Sequence, residues 1–204
     1  MWKFMKHYAL EIYTVIAMLL IVLVAIFMPQ LTVIQKFAVG LSFIYILHEW
    51  EERHYPGGFL DLMSGMLQRQ IDDETKRGSR LSTGVFLLVM RVVPFFFGDR
   101  LPMFAVAMAT FSLFEGFIHI AGIRIFQLKK CYTPGMVTAE TQAVIAIGLI
   151  VYLAGNHLCA WYDYVCGPLI FISCFACMQR SLMAMIGLHY SDMPKLIKAQ
   201  LKKI

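Results

Sequence analysis

The chain has 204 residues, of which 59% are hydrophobic and only 15% charged, with a mean hydropathy of +0.68 and a formal net charge of +5. Soluble domains carry about 25% charged residues, so this balance excludes a soluble globular enzyme and predicts an integral membrane protein. The basic residues fall in short loops and at the C-terminal tail, the distribution of a polytopic membrane protein. That excludes nucleic acid as a partner and leaves membrane lipid.

A helix needs about 20 residues to cross the hydrocarbon core. Six apolar runs reach or approach that length, at about 8–28, 33–52, 81–97, 101–122, 136–155 and 164–188. The first, Tyr8 to Met28, is ended by Pro29. It is too long for the core of a signal peptide and has no small-residue cleavage site. The second runs from Val33 to Glu52. The stretch that follows, Arg53 to Arg80, opens on a turn, Arg53-His54-Tyr55-Pro56-Gly57-Gly58. Apolar pairs then recur at helical spacing, predicting an interfacial amphipathic helix at about 58–70, and Asp72 to Arg77 reads as a solvated loop. The third span, Leu81 to Phe97, is short and carries Arg91 in its middle and Pro94 near its end. Leu101 to Gly122, Met136 to Gly155 and Tyr164 to Leu188 complete the set. The expectation is one all-α integral membrane domain, a bundle of six transmembrane helices.

With the N-terminus inside, all the lysines and arginines outside the spans except Lys36 and Arg100 fall on one side. Positive charge marks the cytoplasmic side, so both termini are expected there, in a membrane such as the bacterial inner membrane. The five cysteines show no zinc pattern; Cys159 and Cys166 share a loop in which an oxidising space would allow a disulfide.

This topology gathers the ionisable residues at one depth. His48, Glu51 and Glu52 follow each other at i, i+3 and i+4, which puts them on one helix face; Glu49 and Trp50 are expected to point elsewhere. Glu115 and His119 form an i, i+4 pair at the cytoplasmic end of the fourth span. Glu140 lies in the first turns of the fifth, and His7 and Glu11 begin the first at the same level. A wet helix end would explain His48 to Glu52 taken alone, but interfacial polarity would decorate both membrane faces, and the outer half is nearly bare. Ionisable residues inside a membrane are costly and mark functional sites. The expectation is a cytoplasm-facing polar pocket.

Inward-facing carboxylates and histidines from several helices are how bundles hold pairs of metal ions, and imidazole with carboxylate suits zinc, iron or manganese. The expected ligands of a divalent transition metal, zinc or iron/manganese, are His48, Glu52, Glu115 and His119. The same residues also suit a metal-free acid–base centre, in which a buried carboxylate moves a proton. Glu51, Glu52, Glu115 and Glu140 are the expected catalytic carboxylates. Arg91, in mid-span, is expected to be buried and paired, with Glu115 as one partner available to it. Arg91, Arg124 and Tyr132 are the expected substrate-binding residues. In the turn before the fifth span, Thr133 or Thr138 is placed to cap that helix, and Tyr132 to form a rim over the pocket.

His48-x-x-Glu51-Glu52 after an apolar span, the later Glu115 and His119, and the Tyr132-Thr133-Pro134-Gly135 turn together resemble the HXXEE family of integral membrane proteins. The resemblance covers most of the chain. It implies an enzyme but carries over no substrate. The Glu51-Glu52 pair with a downstream histidine also looks like the glutamate-type membrane proteases. Those carry an arginine four residues after the second glutamate, where this chain has Pro56, and a phenylalanine where it has Glu115. The function expected is therefore a membrane enzyme acting on a lipid or lipid-like substrate through a metal or a carboxylate/histidine centre. The alternatives are a proton-coupled small transporter or ligand-binding membrane protein, and an intramembrane glutamate-type protease.

Overall fold

A computed structural model describes residues 4, 8–27 and 30–202. The proposed end of the first span at Met28, its stop at Pro29, and His7 lie outside the described residues. Among those described there is no strand. The helices are α1 (Ala9–Phe27), α2 (Val33–Arg53), α3 (Phe59–Leu67), α4 (Asp73–Phe97), α5 (Pro102–Ile125), α6 (Met136–Gly155), α7 (Asp163–Met185) and α8 (Met193–Leu201), with a 3-10 turn at Tyr190–Asp192. Four of them, α4 to α7, are long and apolar enough to cross a membrane. The protein is an all-helical bundle of membrane type.

Local sequence fixes where these helices start. α2 opens on a capping box: the Thr32 hydroxyl accepts the Gln35 backbone N–H at 3.2 Å, and the Gln35 side chain accepts the Thr32 N–H at 3.1 Å. α4 begins at Asp73, so Asp72 to Arg77 is not a loop. The Asp72 carboxylate accepts the Thr75 N–H at 2.7 Å. Asp73 and Glu74 then occupy the first turn, where the helix dipole favours negative charge. Polar composition suggested a loop there, but cap chemistry makes it the first turns of a long helix.

α5 is the most buried of the four long helices and packs chiefly on α6 and α7. Small residues allow this. Ala105 and Ala109 of α5, and Ala139 and Ala146 of α6, are fully buried. A Cβ on Gly116 would stand 2.9 Å from the Ala143 Cβ, too close to fit unshifted. Close backbone approach through small residues is how membrane helices associate. On the α7 side the seam is aromatic: the Phe111 ring lies 5.0 Å from Phe86 of α4 and 6.0 Å from Phe171 of α7. α8 lays Leu196 and Ile197 against Met66, Leu67 and Met183, closing the bundle under α3. Cys159 and Cys166 are free thiols.

Arg91 is buried, yet among the described residues it has no acid partner within hydrogen-bonding distance. Its guanidinium donates to Gln142 Oε1 at 2.8 Å and to Ser112 Oγ at 3.2 Å, and stands 4.8 Å above the Phe111 ring. The pairing with Glu115 allowed by the sequence is replaced by neutral acceptors and an aromatic face, which hold a cation without a counter-ion in contact.

Candidate metal centre

The i, i+4 spacing in α2 and α5 places His48 above Glu52 and Glu115 above His119, and the packing of the two helices brings the pairs together. Glu52 Oε1 stands 3.6 Å from His48 Nε2 and 3.4 Å from His119 Nε2. Glu115 Oε2 stands 3.7 Å and 4.0 Å from the same two nitrogens. Both imidazoles are almost fully buried. These separations exceed hydrogen-bond length, so the four groups converge without bonding to one another. Two ligands held at about 2.1 Å from one ion in tetrahedral geometry stand about 3.4 Å apart, which is the scale seen here. Donor atoms of His48, Glu52 and His119 all lie within 4.8 Å of one another.

The remaining nitrogens fix how the rings present themselves. His48 Nδ1 lies 3.0 Å from the Gly135 carbonyl and 3.1 Å from Thr138 Oγ1. A carbonyl only accepts, so Nδ1 carries the proton and Nε2 turns a lone pair to the centre. His119 Nδ1 lies 2.9 Å from Thr133 Oγ1, whose own proton goes to the His119 carbonyl at 3.2 Å. That again leaves Nδ1 as donor, and His119 Nε2 is a buried atom with no hydrogen-bond partner among the described residues. Metal-binding histidines are commonly oriented in this way by an oxygen on the far ring nitrogen. The donor set and the orphaned nitrogen therefore fit a divalent ion.

The turn before α6 makes this arrangement possible. Gly135 takes a left-handed conformation, φ +93°. A Cβ on it would lie 2.7 Å from Glu52 Cγ and His119 Cε1 and 2.8 Å from His48 Cε1, so only glycine lets the chain pass against these three side chains. Neither Thr133 nor Thr138 caps α6. Gly135 is the N-cap residue and lacks a capping side chain. Glu51 of α2 supplies the missing acceptor. Its Oε1 accepts the Tyr132 hydroxyl at 2.9 Å and the Val137 N–H at 3.2 Å; its Oε2 accepts the Thr138 N–H at 3.0 Å and hydroxyl at 2.5 Å. Burial and the bonded Glu51 carboxylate push the Tyr132 hydroxyl up to about 12, so it stays a donor at neutral pH.

The expected site residues thus fall into two groups. His48, Glu52, Glu115 and His119 come together. Glu51 turns away to hold the turn, and Tyr132 is engaged by it. Glu140 lies near Gly116, its Oε1 buried and without a hydrogen-bond partner among the described residues. Arg91 sits in the packed interior, and Arg124 is exposed on α5. Glu49, expected to point elsewhere, is buried: it accepts the Tyr45 hydroxyl at 3.0 Å and pairs with Arg53 Nε at 2.6 Å. The signal for this was the i, i+4 spacing of Glu49 and Arg53.

His48, Glu52 and Glu115 border a cavity of about 780 Å³ whose other walls are mainly apolar side chains of α3, α4, α5, α7 and α8. A second cavity, of about 850 Å³ between α4 and α7, shares Thr75, Phe86, Met178 and Met185 with it. The bundle and its site thus define a membrane-type helical protein with an interior cluster of two histidines and two glutamates. Residues 39–152 match the family model described as "Protein of unknown function with HXXEE motif". That is more than half of the chain, and the protein belongs to this family, His48-x-x-Glu51-Glu52 being its motif. No curated protein and no solved structure matches the chain.

Proposed function

We propose that this protein is an integral membrane enzyme of six spans that uses a divalent transition metal, zinc or iron/manganese, to act on a lipid-like substrate at the cytoplasmic face. α1 and α2 supply the two further spans. The observation that carries the reading is the convergence of four buried ligand groups, with both imidazoles turned by oxygens on Nδ1. His48, His119 and Glu52 hold the ion. Glu115 borders the cavity and lies farther from His119, so it is the carboxylate that meets substrate and moves a proton. The ion would act as a Lewis acid or activate a water. The apolar cavity supports a lipid-like substrate, and the positive-charge bias supports the cytoplasmic side.

Metal analysis of protein purified without chelators tests this. About one equivalent per chain is expected, with large losses in His48→Ala and His119→Ala and retention in Glu115→Gln. Wild-type protein that takes up no divalent metal, even when offered zinc, iron and manganese in turn, overturns it.

A further inference from the structure

The cavity has a second polar feature that the ligand cluster does not use. Arg53, the residue after the motif, has a side chain only 6% exposed and forms part of the cavity wall. Its Nε is taken by Glu49 at 2.6 Å, and its Nη2 reaches Thr83 Oγ1 at 3.5 Å. Its Nη1 is buried and has no hydrogen-bond partner among the described residues. An unmatched buried donor is costly, and here Glu49 pairs the charge of the guanidinium while Nη1 stays unmatched. Ser79, Thr83, Lys76 and Lys198 line the same cavity. Lys76 is engaged by Asp61 at 2.8 Å, which leaves Arg53 as the buried cation with a donor to offer.

We infer that Arg53 is an anion-recognition point, and that the ligand of this cavity is a single-chain amphiphile bearing a carboxylate or a phosphate monoester. This rests on the lipid-like substrate proposed above and names its head group. The guanidinium presents adjacent N–H donors that match the oxygens of either anion. The chain of the ligand lies along the apolar walls; a cavity of this volume is within the usual range for small-molecule sites. Since Arg53 lines the same cavity as His48, Glu52 and Glu115, the anionic head is held on the side of the histidine–glutamate cluster. Glu49 holds the same guanidinium in place and competes with the ligand for it.

Native mass spectrometry of the full chain in dodecylmaltoside, with and without bound zinc, tests this with dodecanoate, dodecyl phosphate, dodecanol, dodecyltrimethylammonium and inorganic phosphate. One equivalent of either anionic amphiphile is expected to bind at least tenfold more tightly than the alcohol or the ammonium. Inorganic phosphate should bind far more weakly than dodecyl phosphate. Arg53→Met should abolish the preference for anions. Should that variant not fold, Glu49→Gln, which keeps shape and removes the competing charge, should strengthen anion binding severalfold. Equal binding of dodecanol, or unchanged selectivity in either variant, overturns the assignment. Inorganic phosphate binding as tightly as dodecyl phosphate would make this a free-anion site and equally overturn it. Zinc occupancy is read in the same spectra, so failure of the anion site and failure of the metal centre are separate results.

Discussion

Glu51 caps a helix to which it does not belong. From α2 it accepts the Thr138 backbone N–H at 3.0 Å and the Thr138 hydroxyl at 2.5 Å, at the start of α6. Loss of a helix cap costs about 0.5–2 kcal/mol. Glu51→Ala is expected to destabilise by about 2 kcal/mol, and Glu51→Gln by less because the amide keeps one carbonyl acceptor. Both should loosen metal binding, since the turn Glu51 holds carries the oxygens that orient His48 and His119. Thermal unfolding in detergent, with and without zinc, checks this; a Glu51→Ala protein as stable as wild type contradicts it.

Thr133 acts on His119 from the side away from the centre. Thr133→Val keeps the shape and removes the Nδ1 acceptor. Metal affinity should fall by about 10–100-fold, the usual effect of deleting such a support, with little change in helix content. Chelator competition measures it. An unchanged affinity would mean that the imidazole is held by packing alone.

Gly135→Ala forces a Cβ into contact with Glu52, His119 and His48, at a φ that L-residues rarely adopt. Strain of this kind costs about 1–3 kcal/mol, and the crowding adds to it. The variant is expected to lose metal binding even where enough protein folds to be assayed. Retention of full metal occupancy would show that the turn can move aside.

Gln142→Leu removes the shorter of the two hydrogen bonds to the buried Arg91 guanidinium. Bonds to charged groups contribute about 1.5–3 kcal/mol, and a loss of stability of that size is expected. Metal affinity should hardly change, because Arg91 lies in the packed interior and not on the cavity wall. Paired measurements of unfolding and zinc affinity separate the two effects.

The proposed orientation puts Cys131 inside the cell and Trp161 outside. In single-cysteine proteins, an impermeant maleimide added to intact cells should leave Cys131 unmodified and should label Trp161→Cys. The reverse pattern would move the site to the other face of the membrane.

The four converging groups were legible because both pairs obey i, i+4 spacing, and helical geometry turns that spacing into a shared face. Glu51 was legible as polar but not as a cap, because its role depends on where α6 begins in space, and nothing in α2 encodes that. Glu49 points away from the cluster, as expected, but its burial against Tyr45 and Arg53 was missed for a related reason. Counting from His48 puts it off the stripe, while the cavity is wide enough to receive two adjacent faces of α2. Arg91 was expected to be buried, as it is. Its partners were misjudged because charge suggested an acid, whereas Gln142 and Ser112 meet it through the closeness of α5 and α6. The start of α4 was missed because Asp72 to Arg77 is hydrophilic, and a capped helix end has the composition of a loop.

The turn at Gly135 also bears on how the protein is made. All four converging side chains lie on α2 and α5, so they are synthesised before residue 120. The Thr133 hydroxyl and the Gly135 carbonyl that aim the two imidazoles come later, and the turn is secured only when α6 meets Glu51. A nascent chain stalled after α5 would hold every ligand without the means to orient them. On the metal-centre reading proposed above, the donor geometry is therefore complete only once α6 has packed against Glu51.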